Sequence, residues 1–173
     1  MNLYANPDFD WVLMFHDLKA SSFRNGELAK LQRHRLKVCL YNVHVPEWPT
    51  KAPLAITIII RGPKLMYHRI DVDNMAKVCL DAANKIIYRD DRQVHSLFVH
   101  KNLWECERFG IEIEIKVLTD NSGVLLPKLI LPRNPREEAD PNSVNSPIIF
   151  DFSNEDAVRA YSGRTKYVFK FEF

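Results

Sequence analysis

Residues 54–60, LAITIII, are almost wholly apolar and mostly β-branched. Branching at Cβ crowds the turn of a helix and suits a pleated strand. A strand without polar alternation is buried on both faces, or nearly so. Any fold for this chain must therefore cover that strand from two sides. Pro46, Pro49 and Pro53 punctuate the approach to it, and Gly62 with Pro63 ends it.

The period then changes. From Asp73 onward Met75, Val78, Cys79, Ala82 and Ile86 recur at three- and four-residue steps, the apolar stripe of a helix lying on a sheet. Asp73, Lys77, Asp81 and Lys85 stand one above another on its other side. Two β-rich runs follow. In QVHSLFVHK the residues favour a strand, and in GIEIEIKVL Ile111, Ile113, Ile115 and Val117 alternate with Glu112, Glu114 and Lys116. Such alternation implies one wet face, and the two runs are expected to pair as an antiparallel hairpin.

Upstream, residues 11–16 read as a first strand, and Leu28, Leu31 and Val38 mark one weak helical face in a basic stretch. Past Thr119 a Pro- and Asn-rich segment reads as a linker or irregular arm. IIFDF then reads as a strand, Ser153 with Asp156 resembles the capping box of a short helix, and KYVFKFEF as a final strand. The expected fold is α+β: a compact two-layer domain, a mixed sheet with a central helix packed on it, plus a C-terminal strand-helix-strand extension. Its expected units are residues 1–118 as core, 119–147 as linker or arm, and 148–173 as an extension packed on the core.

A hydrophobic share of 46% and a charged share of 27% exclude wholesale disorder and a fibrous protein. The net charge of +2 is too mild to announce a nucleic-acid binder unless positive charge is segregated. It is segregated: Lys19, Arg24, Lys30, Arg33, Arg35 and Lys37 face the single acid Glu27 between residues 19 and 37, and Arg61, Lys64 and Arg69 lead unopposed into the aspartates. MNLYANPDFD does not read as a secretion signal, and residues 54–60 are too few to cross a bilayer. These features lead to the expectation of a soluble cytoplasmic protein with no membrane partner. Cys39, Cys79 and Cys106 fit reduced packing residues better than disulfides or a zinc site.

Two tight aspartate pairs, DVD at 71–73 and DD at 90–91, flank the helical segment. Each can be explained as a helix cap or a turn former. Together they allow a sharper reading, in which the NKIIYRDD return doubles back so that Asp71, Asp73 and Asp91 converge. Carboxylates packed together repel unless a cation joins them, and hard oxygen donors suit Mg²⁺ or Mn²⁺ in phosphoryl chemistry. Lys77, one turn past Asp73, is placed to touch a phosphate oxygen. Glu112 and Glu114 are less attractive, since they belong to an expected outward face.

The stretch RIDVDNMAKVCLDAANKIIYRDDRQVHSLFVHK, residues 69–101, resembles the RusA-type family of Holliday-junction resolvases. The shared elements are D-x-D-N, a lysine four residues after the second aspartate, DA in mid-helix, then D-D-x-Q and a strand ending in lysine. The resemblance implies a compact α+β homodimer that cuts branched DNA with Mg²⁺, Mn²⁺ substituting. By position it implies metal binding at Asp71, Asp73 and Asp91 with Asp90 as neighbour, an assisting role for Lys77, and structural support from Gln93. Arg61, Lys64 and Arg69 are the candidate phosphate contacts. Two rival readings remain: a metal-dependent nuclease acting on flaps or single strands, and a noncatalytic DNA-binding or phage regulatory module whose aspartates are only caps. A further idea is that KYVFKFEF adds a strand to a partner.

Overall fold

The computed structural model describes residues 9–18, 26–43, 45–69, 71–104, 109–119, 148–152, 157–162 and 165–170. In chain order these form β1 (Trp11–His16), α1 (Gly26–Asn42), β2 (Leu54–Pro63), a 3-10 helix (Lys64–Arg69) and α2 (Val72–Ala83). A 3-10 turn (Asp91–Gln93) leads into β3 (Val94–Trp104), followed by β4 (Gly110–Val117), β5 (Ile148–Asp151), β6 (Ala157–Ser162) and β7 (Thr165–Lys170). One mixed sheet takes the order β3-β2-β4-β1-β5-β6-β7. The α+β architecture read from the sequence is the one observed.

The β-branched run occupies an inner position, as a strand dry on both faces must. β2 pairs with β3 in parallel and with β4 antiparallel. Parallel neighbours need a crossover, and α2 supplies it. The expected hairpin of β3 on β4 is therefore replaced by an arrangement with β2 between them, because the most apolar strand gains most from two neighbours.

Both helices cover the same face. Leu36, Cys39 and Leu40 of α1, with Met75, Val78, Cys79 and Ala82 of α2, close over Leu13, Phe15, Ile56, Ile58, Ile60 and the isoleucines of β4. The α2 stripe is the one its period marks out. In α1 the buried set is Gln32, Leu36, Cys39 and Leu40, while Leu28 and Leu31 stay exposed, contrary to the expected face. A buried glutamine and stranded leucines blur the period there. Cys39 and Cys79 are buried free thiols whose pKa values rise to about 12 as burial disfavours the thiolate.

The other face of the sheet is not wet. Val12, Met14, Thr57, Ile59, Glu112 and Glu114 are all buried there. Alternation in β4 thus marks two chemically different dry faces, and Arg61 makes the acidic one tolerable by donating from Nε (3.0 Å) and Nη2 to Glu112 Oε2. β4 begins on Gly110 for a steric reason: a Cβ at this position would stand 2.6 Å from the Phe15 carbonyl oxygen.

At the C-terminal side β5 pairs in parallel with β1, whereas β6 pairs antiparallel with β5 and β7 antiparallel with β6. Residues 157–162, where a short helix was expected, form β6. Pairing on both sides favours the strand at these residues. Residues 153–156, the linker at 120–147, Lys19, Arg24 and Cys106 lie outside the described residues. No described helix is long and apolar enough to cross a membrane.

Candidate active site

A cleft of about 580 Å³ lies between α2 and β3, with Asp73, Lys77 and Asp81 on the helix side and Asp91, Leu97 and Val99 on the other. The polar ridge of α2 is thus one wall. The strand wall is made regular by a fault in pairing: the register shifts between Leu54/Val94 and Ala55/Ser96, one extra residue on β3. Such a bulge turns the strand locally. It lets Val94 line the cleft together with Leu97 and Val99.

Asp71 sits at the start of α2 in extended backbone, and its side chain makes no capping bond. Instead Asn74 Nδ2 donates to Asp71 Oδ2 at 2.9 Å. The Asp71 and Asp73 carboxyls face each other. Hydrogen bonding to Asp73 is the main cause that raises the Asp71 pKa, joined by desolvation and the Asp73 charge, while the Lys101 charge acts against the rise. Asp73 moves the opposite way, lowered by the Asp71 hydrogen bond and then by its own and the Asn74 backbone N–H. The start of a helix favours an anion for this reason.

The return from α2 is tightly specified. Lys85 adopts φ 67 and its N–H donates to the Tyr88 carbonyl at 2.7 Å. Tyr88 is fully buried, with its hydroxyl donating to the Leu80 carbonyl at 2.9 Å. Gln93 then clamps the turn: its Oε1 accepts from Arg89 N–H and Asp90 N–H, and its Nε2 donates to the carbonyls of Thr50 and Ala52. Asp90 completes a capping box by accepting from Arg92 N–H, and both its oxygens take the Arg92 guanidinium. These bonds hold the Asp90 pKa down to about 2. Asp90 is spent on the turn, whereas Asp91 lines the cleft.

The expected convergence of three aspartates does not occur within the chain. Because β2 and β3 are parallel and α2 joins the end of one to the start of the other, its head follows the end of β2 and its tail leads to the turn before Val94. Asp91 precedes Val94 and lies at the tail. A helix of this length spans about 18 Å. Among the described residues no three His, Cys, Asp or Glu side chains are grouped to hold a metal ion. Mg²⁺ does not demand such a cage, since it keeps several waters and is held by one or two carboxylates plus substrate phosphate. The Asp71–Asp73 pair fits that requirement.

Arg61 is displaced from its expected role: it points to the face opposite α2, where it pairs with Glu112. Lys64 and Arg69 are exposed on the 3-10 helix that leads to Asp71. Two further residues belong to the neighbourhood. Arg33 of α1 holds Asp81 at 2.9 Å on the cleft wall. Lys101 follows Leu97 and Val99 at two-residue steps, a spacing the sequence displayed without revealing what lay opposite.

No curated protein matches the chain. The family model described as Endodeoxyribonuclease RusA matches residues 33–116, the stretch that runs from within α1 into β4.

Proposed function

We propose that the chain is a Mg²⁺-dependent endonuclease that hydrolyses phosphodiesters at Holliday junctions or other branched DNA, working as a homodimer. The observation that carries this is the Asp71–Asp73 pair at the head of α2, in which Asp71 makes no capping bond and Asp73 lines a cleft together with Lys77. Asp71 and Asp73 would hold the ion. When bound, Mg²⁺ supplies charge neutralisation and an acidified water for phosphodiester hydrolysis. Lys77 offers its ammonium to a phosphate oxygen, one turn past Asp73. Lys64 and Arg69 bring positive charge to the backbone of the same DNA, an attraction independent of sequence.

Asp91, in the turn after the tail of α2, calls for a second copy. A twofold axis across α2 sets the tail of one helix beside the head of its mate, which gives Asp91 access to the partner's carboxylate pair. The rival reading of a noncatalytic module with aspartates as caps fits Asp90 but not Asp71.

The experiment is cleavage of a synthetic four-way junction in Mg²⁺ by Asp73→Asn, Asp91→Asn and dimers refolded from the two mixed. Each variant alone should lose on the order of 100-fold in rate, as for removal of one electrostatic stabiliser. Mixed dimers should recover about half the wild-type activity, since one composite site stays intact. Unimpaired cutting by Asp73→Asn would sink the reading. Inert mixed dimers would place Asp91 within its own chain's site or outside the chemistry.

A further inference from the structure

We propose that Lys101 is a second substrate-binding cation of this site, reaching from β3 to a non-bridging oxygen of the DNA phosphodiester while Lys77 reaches from α2. The inference rests on the nuclease reading above and names a residue that reading leaves unused.

Strand alternation supplies the first support. Leu97, Val99 and Lys101 share one face of β3, opposite Ile56, Ile58 and Ile60 in the parallel ladder. Leu97 and Val99 line the cleft, and Lys101 continues their face of β3 one step past the lining residues. Chain direction supplies the second. β2 ends at Pro63, the 3-10 helix follows and α2 starts from Asp71, so the chain enters α2 after the same end of β2 at which Ile60 pairs with Lys101.

A phosphodiester carries two non-bridging oxygens and one negative charge. With one oxygen turned to the carboxylate-held ion, the other accepts from an ammonium group beside the pair. Lysines on opposite walls would clamp the phosphate in line with Asp73.

The simpler alternative gives Lys101 a structural task, neutralising Asp71. The two differ in sign. A cation beside a metal site opposes metal binding and favours an anionic substrate, whereas a structural prop supports both. Mn²⁺ titration by calorimetry without DNA, with single-turnover cleavage of a four-way junction, separates them. Lys101→Met should bind Mn²⁺ about threefold more tightly, the effect of removing one charge at solvent-exposed range. It should cut roughly tenfold more slowly or worse, the loss of a charge-assisted hydrogen bond. Lys101→Arg should restore most of the rate.

Unchanged cutting by Lys101→Met overturns the proposal. So does slower cutting accompanied by weaker Mn²⁺ binding, which is the structural outcome. Wild-type protein that cuts no DNA sinks the nuclease reading itself, a result distinct from wild type and Lys101→Met cutting equally well.

Discussion

Asp90 and Asp91 are neighbours of one residue type with different fates, and the difference lies in hydrogen bonding. Asp90 is bonded to the Arg92 guanidinium and amide and titrates near 2, below the ordinary 3.8. A folded pKa below the unfolded one means that ionised Asp90 stabilises the fold above about pH 4, and that the stabilisation is lost as pH falls toward 2. Asp90→Asn should therefore flatten the acid limb of a melting-temperature profile over that window while leaving Asp91 in the cleft. The Arg61–Glu112 pair lies at the other extreme of solvent access, with Glu112 2% exposed. Glu112→Ala strands a mostly buried guanidinium and should cost about 3 kcal/mol in denaturant unfolding. Sequence misjudged this glutamate because alternation reports two unlike faces, not which of them meets water.

Elements were legible where their residues agree with one another. α2 combines an apolar stripe at Met75, Val78, Cys79 and Ala82 with a polar ridge, and both survive folding intact. α1 offers no such agreement, because Gln32 is buried while Leu31 is exposed. In the turn before β3, Gln93 satisfies two backbone donors and two carbonyls from separate segments. Gln93→Ala should cost about 2 kcal/mol, since partly buried backbone groups lose partners. Cleavage should fall further than stability does, as the turn carries Asp91. Comparing melting temperature with single-turnover rate checks this. A glutamine two residues after an aspartate pair is visible in the sequence; the Thr50 and Ala52 carbonyls it binds are not.

Across the whole molecule the sheet continues past β1 into β5, and Phe152 packs in the main core with its ring centroid 6.3 Å from that of Phe15. Ending the chain after Thr119 removes that ring and turns β1 into an open edge, a template for self-association. The shortened chain should melt lower and should aggregate on heating, as calorimetry with light scattering would detect. By itself the sequence determined the local grammar: a strand dry on both faces, a helix with one apolar and one charged side, and the aspartate pairs that flank that helix. These follow from period and side-chain chemistry, which act over a few residues. Tertiary structure alone decided that β2 separates β3 from β4, that Glu112 and Glu114 are buried, and that Asp71, Asp73 and Asp91 are not grouped to hold a metal ion. Strand order and chain direction settle such matters, because they arise from competition among distant segments for the same hydrogen-bonding edges and the same buried space, and no short window of residues contains both competitors.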